Sequence, residues 1–274
     1  MPSLTESLFD LGLGEAVVGI TDYCIRPAGS LENIPRLGGP KNPRLKEIQA
    51  LQPDLVLANW EENTRQVVEG LRAAGVSVWV TFPRTVRESL DILWQLVDLF
   101  HSKSAAVRIE SLELTLEWAR SAAASRPPVL YFCPVWYDRT SQGQPWMMTF
   151  NRHTYCHDLL AILGGHNAFA GRQRRFPLAA DIGLEQPQDP GEKDTRYPRL
   201  ALDEIIAAQP EVILLLDEPF AFSENHRQEL RGLLASTPAV QHDRLPMVDG
   251  SLITWHGTRL AHALRELPST FDIL

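Results

Sequence analysis

Cysteine is scarce: Cys24, Cys133 and Cys156 are the only three in 274 residues, too far apart for a Cys-x-x-Cys metal or redox motif. They read as three reduced, partly buried thiols, with one disulfide and a free thiol as the alternative in an oxidising compartment. No apolar run approaches the ~18–20 residues that a membrane-spanning helix needs. Basic charge is also short. A pI near 5.5 and a net charge of −8 exclude the clustered positive surface that neutralises nucleic-acid phosphates. Arg172, Arg174 and Arg175 do cluster, and that short turn reads as a solvated loop. The phosphate loop GxxxxGK[ST], the nucleophile elbow GxSxG and the dinucleotide fingerprint GxGxxG are absent, which removes the standard enzyme signatures. Met1 to Glu6 has no charged start, apolar stretch or cleavage site, so no signal peptide is legible. On this reading the chain is cytosolic or begins after a leader.

What is present is an ordinary globular composition. Hydrophobic residues make up 44% and charged residues 22%, with 20 prolines and 17 glycines. That excludes disorder and allows one large domain or two of common size. Ser3 or Thr5 is placed to cap a first helix through Leu8, Phe9 and Leu11, ending at Gly12 or Gly14. Val17 to Ile20 reads as a strand. A helix follows over about 44–51, stopped by Pro53, and Asp54 to Ala58 reads as a buried strand. Asn63 or Thr64 starts the next helix, Gly75 closes it, and Val76 to Val80 is the next strand. Strand, helix, strand in that order predicts a parallel sheet.

Leu90, Leu93, Trp94, Val97 and Phe100 then fall at helical spacing. After a break near His101 a second helix runs over about 104–124, carrying Ile109, Leu112, Leu116 and Trp118. It would be about 30 Å long, enough for a rigid connector. Trp94 and Trp118 read as core. Beyond Pro127-Pro128 come a strand at 129–132, a helix over 153–163, a polar loop over 185–198, a helix over 224–234 and a strand at 245–248.

One segment occurs twice. Leu45 to Leu57 returns 157 residues later as Leu202 to Leu214, with seven of thirteen positions identical. The same offset places Glu61 opposite Glu218. A repeat of helix, proline and strand on either side of a long helix predicts two similar α/β lobes. The lobes are expected at 1–101 and 127–274, with the connecting helix at 102–126.

Ligands of parallel α/β sheets bind outside the carboxyl ends of the strands. The residues following the expected strands are therefore informative, and they are rich in aromatics: Tyr23, Trp60, Trp136 and Trp255, with Trp146 nearby. Such rings suit a large, flat, partly apolar ligand held in a cleft between the lobes. His153 and His157 share a helix face as zinc ligands can, yet no HExxH motif accompanies them. Cys156-His157 is not a catalytic dyad, because adjacent helical residues point apart.

These motifs carry a resemblance. Pro2 to Glu6, Val18 to Cys24, the Gly38-Gly39-Pro40-Lys41-Asn42-Pro43 turn and Pro53 to Val56 are similar to the cobalamin-binding, long-helix class of ABC-importer substrate-binding proteins. The resemblance covers essentially the whole chain. It implies two α/β lobes with central parallel sheets, one backbone helix, and a periplasmic, monomeric protein without catalysis, resident metal or cofactor. It also implies a short strand ahead of Pro2 and a secretion or lipoprotein leader, neither of which lies in this sequence. The implied cargo is cobalamin or another corrinoid, with haem, ferric siderophore or a metal ion as alternatives within the superfamily. An α/β enzyme of another class is the further alternative. Tyr23, Trp60 and Trp255 match pocket-lining aromatics, while Trp136 and Trp146 resemble the second-lobe wall. His256 would be a polar contact to the cargo or a solvent-exposed loop residue. Glu61 or Glu62, and Glu218, resemble the lobe-tip acids that dock onto permease arginines. They also suit the amino ends of helices.

Overall fold

Proline fits the first turn of a helix because its missing N–H has no partner there, and α1 (Pro2–Asp10) starts on Pro2 with no side-chain cap. Ser3 and Thr5 thus lie inside the helix and do not cap it. The computed structural model describes residues 1–272 and divides into two units. Unit 1 comprises Met1–Leu114 with Trp255–Ala261; unit 2 comprises Thr115–Thr254 and the chain from His262 onward.

Unit 1 continues from α1 into the short ribbon β1 (Gly38–Gly39) and β2 (Asn42–Pro43), then α2 (Leu45–Ala50), β3 (Val56–Asn59), α3 (Arg65–Ala73), β4 (Val78–Thr81) and α4 (Val86–Phe100). The helix α5 (Lys103–Ala124) contributes residues to both units. Strands β3 and β4 pair in parallel, Val56 opposite Val78 and Asn59 opposite Thr81. Thr64 and Thr85 cap α3 and α4, their hydroxyls accepting the Val67 and Glu88 N–H groups at 3.3 and 3.1 Å. Leu90, Leu93 and Leu96 of α4 and Ile109 of α5 fill the core. Trp118 does not: it is 80% exposed. It lies nine residues beyond Ile109, which puts it about half a turn out of phase with the buried stripe. Trp94 is half-buried and donates its indole N–H to Glu113 Oε1 at 3.2 Å.

The expected strand over Val17 to Ile20 is absent. Only an isolated parallel bridge joins Ile20 to Arg36. A strand needs a partner along its length, and this segment instead borders a partly open pocket of about 190 Å³, lined by Val17, Ile20, Leu4, Leu57, Val68 and Leu96 among others. In the parallel ladder Val56 and Trp60 donate toward β4, to Ser77 and Thr81 carbonyls, so the alternate groups at Leu55 and Leu57 face away from β4.

Helix α1 buries polar side chains, where an ordinary amphipathic helix would bury apolar ones. Ser3, Thr5, Glu6 and Ser7 are all buried. Thr5 meets Cys24 Sγ at 3.3 Å, while the partners of Glu6 and Ser7 arrive some 250 residues later, in Trp255–Ala261. Ser7 Oγ donates to the Ser3 carbonyl at 2.7 Å and accepts the Thr258 N–H at 3.1 Å. Thr258 Oγ1 donates to Asp10 Oδ2 at 2.7 Å, and Ser89 Oγ accepts the Gly257 N–H at 2.8 Å. Gly257 sits at φ +89°, where a Cβ would also lie 2.2 Å from Ser7 Oγ, so the approach requires glycine. Arg259 Nη1 donates to Glu6 Oε1 at 3.2 Å in a buried ion pair. Burial nonetheless raises the Glu6 pKa, outweighing the pull of Arg259.

Unit 2 opens with β5 (Val129–Phe132), β6 (Trp136–Arg139), β7 (Pro145–Met148), α6 (Tyr155–Ile162), β8 (Gly165–Asn167) and α7 (Leu178–Asp181). It continues through β9 (Arg199–Ala201), α8 (Leu202–Ala208), β10 (Val212–Ile213), β11 (Leu215–Leu216), α9 (Glu224–Leu233), α10 (Pro238–Gln241), β12 (Met247–Val248), α11 (Ser251–Thr254) and α12 (Leu260–Glu266), the last shared with unit 1. The run Val212 to Leu216 is fully buried and changes partner midway. Its first half pairs in parallel with β5, which pairs with β8; its second half pairs in parallel with β12. A second, antiparallel sheet has the order β6-β7-β9. Its hairpin turn carries Gly143 at φ +82°. Trp136, which the sequence places in a loop after the strand at 129–132, opens β6.

The duplicated segment forms the same local structure twice. The helix α2 and strand β3 recur as α8 and β10, and between each helix and strand a glutamine adopts the left-handed conformation, Gln52 at φ 48° and Gln209 at φ 50°. All three cysteines are free and buried, as the sequence reading expected of reduced thiols. No helix among the described residues is long and apolar enough to cross a membrane.

Two expectations follow for stability. Arg259→Met leaves Glu6 buried without its cation and should cost about 3–5 kcal/mol in urea denaturation; a cost under 1 kcal/mol would show that the pair holds nothing. Burial lowers the His256 pKa from 6.5 to about 4. A histidine held neutral by the fold contributes stability that is complete above pH 6.5 and lost as pH falls toward 4. The loss should reach about 3 kcal/mol, and His256→Gln should flatten the stability–pH curve across that window.

Candidate functional site

Strands β3 and β4 run in parallel, so both end at one edge, and each ending delivers an aromatic ring. Asn59, buried at the end of β3, turns the chain. Its Oδ1 accepts the Glu61 N–H at 2.9 Å, while its own N–H donates to Asn63 Oδ1 at 2.8 Å. This clamp makes Trp60 project with 55% of its surface exposed. The indole rests on Phe82, which follows β4, with ring centroids 4.8 Å apart and planes tilted by 38°. The Arg84 guanidinium lies 5.8 Å from the centre of the same Phe82 ring. Asn63 Nδ2 also donates to the Pro40 carbonyl at 2.8 Å, tying the 38–43 turn to this loop. Tyr23, 64% exposed, belongs to the same assembly. Its ring closes on Gly39, where a Cβ would come within 3.3 Å. Asp22 exchanges backbone and side-chain hydrogen bonds with Gly38 at 3.0 and 3.3 Å. Tyr23, Trp60, Phe82 and Arg84 are thereby held on short, hydrogen-bonded loops.

Unit 2 carries a second aromatic group. On β6 the side chains alternate, so Trp136 is 40% exposed and Tyr137 is buried. Trp136 meets the edge of Phe220 at 5.6 Å, and Phe220 in turn contacts Phe222 at 4.8 Å and His226 at 5.1 Å. Tyr137 donates its hydroxyl to Glu229 Oε1 at 2.6 Å, and Arg139 pairs with the same carboxylate. Burial, reinforced by that bond, pushes the Tyr137 pKa up to about 12. The outer face of β6 is thus anchored by a polar bond beneath its exposed tryptophan.

The remaining candidates divide by burial. Trp146 on β7, Trp255 and His256 are all buried. His256 is therefore not the solvent-exposed loop residue that was one reading of the sequence, because it lies in the segment sewn beneath α1. Burial lowers its pKa, so its ring is neutral at pH 7. Glu61 and Glu62 are exposed in the turn between β3 and α3. Glu218 is half-buried and accepts from Thr254 Oγ1 at 3.3 Å. Gly250 lies against it so closely that a Cβ would stand 2.4 Å from the Glu218 carbonyl oxygen. The offset between Glu61 and Glu218 therefore places both just beyond repeated strands, in different surroundings. His157 contacts Asn167 Nδ2 through Nδ1 at 3.4 Å, and burial lowers its pKa.

Sequence reasoning singled out the tryptophans and passed over the phenylalanines that support them. Phe82 and Phe220 were legible by the same rule, since each follows an expected strand, but a loop phenylalanine stands out less than a tryptophan.

A family model described as periplasmic binding protein matches residues 1–250. The chain is 22% identical over 245 residues to the vitamin B12-binding protein of Vibrio cholerae serotype O1, covering 89% of this chain and 77% of the relative. Among solved structures it is similar to the periplasmic vitamin B12-binding protein BtuF of Vibrio cholerae, with a TM-score of 0.76 at 20% identity, covering 99% of this chain and 94% of that one. It is about equally similar to the periplasmic haem-binding protein RhuT of Roseiflexus sp. RS-1, with a TM-score of 0.75 at 22% identity over 98% and 95% of the two chains. These likenesses show the fold, and the family match shows more: the chain belongs to the periplasmic binding proteins.

Proposed function

We propose that the protein captures a large, flat tetrapyrrole-type cargo, a corrinoid such as cobalamin first among them, outside the cytoplasm and delivers it to an ABC-importer permease. The observation that carries this reading is the exposed, supported aromatic group in each unit: Trp60 on Phe82 with Tyr23 near by, and Trp136 on Phe220. An exposed indole stacked on a second ring on a hydrogen-bonded loop is already ordered, so little rotamer entropy is lost when a planar molecule covers it. Corrinoid and haem both meet that description, and the names of similar proteins include both.

Delivery is assigned to the acids at the strand ends. Glu61 and Glu62 are exposed and Glu218 is partly so, each near the amino end of a helix. Carboxylates at a protein's rim steer and orient a basic partner more than they add affinity.

Tryptophan fluorescence titration with cyanocobalamin, cobinamide and haemin tests the cargo. Saturable quenching by one class is expected. Trp60→Ala and Trp136→Ala should each weaken it at least tenfold, about 1.4 kcal/mol; unchanged affinity in both would remove the assignment of these faces. Glu61→Lys with Glu62→Lys and Glu218→Gln should leave the dissociation constant within twofold while abolishing permease-dependent uptake into vesicles. Loss of cargo binding in that variant would place the acids in the binding site instead.

A further inference from the structure

Two arginines of unit 2 stand without a counter-ion in a neighbourhood whose carboxylates are already committed. Arg174 and Arg199 are both half-buried, and neither forms an ion pair among the described residues. Their guanidinium groups lie over aromatic faces, Arg174 at 4.3 Å from the centre of Phe176 and Arg199 at 5.6 Å from that of Trp146. Lys193 adds a third positive charge, 4.9 Å from the centre of Phe176. Three donors here are buried and find no hydrogen-bond partner: Arg174 Nε, Arg199 Nη1 and Trp146 Nε1.

The carboxylates at hand already accept from other donors. Asp181 Oδ1 accepts from Arg172 Nη1 at 3.0 Å and from the Arg175 N–H at 2.8 Å, while its Oδ2 accepts the Arg199 N–H at 2.8 Å. Asp194 is held by its own neighbour: Oδ1 takes the Arg196 N–H and Nε, both at 2.9 Å, and Oδ2 takes Nη2 at 2.6 Å. Glu204 pairs with Arg172 Nε at 2.7 Å. Burial lowers the pKa of both Arg174 and Arg199, and Arg174 lowers that of Arg199 further; Asp181, joined by Asp194 at Arg174, offsets this only in part.

Buried donors are nearly always satisfied, and an orphaned one next to an unpaired cation asks for an acceptor. Strand register gathers this set. Met148 of β7 pairs with Arg199 of β9 and Trp146 with Ala201, so Trp146 and Arg199 rise from the same face of the antiparallel sheet. A carboxylate fits the need: it is anionic, it accepts through two oxygens, and arginine forks recognise it with strong charge-assisted hydrogen bonds. A neutral amide supplies one acceptor oxygen and no charge.

We propose that Arg174, Arg199 and Trp146 form an oxyanion subsite that receives a carboxylate carried by the cargo. The proposal rests on the reading of the protein as a tetrapyrrole-type receptor and narrows it to cargoes bearing a free acid side chain, haem or an acid corrinoid, in place of the fully amidated cobalamin. The basic turn that reads as a solvated loop in the sequence is, at Arg174, part of a binding surface.

The test compares haemin, which carries two propionates, with its dimethyl ester, and cobyric acid with cobinamide, in the wild-type protein and in Arg174→Gln and Arg199→Gln. The wild type should prefer each acid over its neutral counterpart at least tenfold. Each variant should lose that preference while keeping its affinity for the neutral molecule within about threefold. Equal affinity for acid and neutral forms in the wild type, or equal loss of both in the variants, would overturn the subsite. A second measurement separates this from the cargo assignment. Succinate, added at constant ionic strength against chloride, should raise the melting temperature of the wild type and not of Arg199→Gln. If no tetrapyrrole binds but this difference appears, the subsite stands and the cargo reading falls. If succinate acts alike on both proteins, the orphaned donors are satisfied by water only and the subsite is refuted.

Discussion

Unit 1 depends on a contact between the two far ends of the chain. Glu6 and Arg259 meet in a buried ion pair, and beside them Ser7 and Asp10 of α1 bind Thr258 while Ser89 of α4 binds the Gly257 N–H. The interaction is demanding. A carboxylate and a guanidinium are taken out of water together, and neither tolerates loss of the other. Its geometric specificity is high, because a glycine at φ +89° must slide against a serine hydroxyl for the segment to lie flat. The hydrophobic core would accept several placements of the final pass of chain. These polar contacts accept one, which carries Trp255 and His256 into the interior and closes unit 1.

The parts of the fold that show a period in the sequence were readable. The cap at Thr64, the strands ending near Asn59 and Thr81, and the stop at Pro127 follow from local chemistry. The duplicated segment was readable too, down to paired glutamines in the left-handed conformation, which the sequence marks only by the proline that follows each. What failed depends on neighbours. Val17 to Ile20 has strand residues but no adjacent strand, and propensity cannot supply one. Trp118 has the composition of core and the wrong phase. The polar side of α1 could not be recognised as interior because its partners lie about 250 residues away. The antiparallel hairpin from Trp136 to Met148 was missed because its alternation, one exposed ring and one buried, spans only four residues per strand.

The same distinction runs through the candidate site. Residue type and position after a strand sufficed to single out Trp60; Tyr23 follows a segment that forms no strand and Trp136 opens one, yet all three present their rings to solvent. Type and position also named Trp146, Trp255 and His256, which the tertiary structure buries. Tryptophan is both a good core residue and a good contact residue, and sequence does not say which duty a given one has. The charged residues were harder still. Arg174 and Arg199 gain interest only because Asp181, Asp194 and Glu204 are already occupied, and occupancy is a property of the folded state.

The void beside β3 has a mechanical consequence. Empty space inside a folded protein is eliminated when the chain opens, so compression favours the open form in proportion to that space. A partly open pocket of about 190 Å³ lies within unit 1 beside β3, which among the described residues pairs only with β4. In unit 2 the corresponding strand, Val212 to Leu216, is flanked on both sides and fully buried. Squeezed hydrostatically, the two halves of the repeat would therefore part company. The amino-terminal one would soften first, although both were built from the same thirteen-residue pattern.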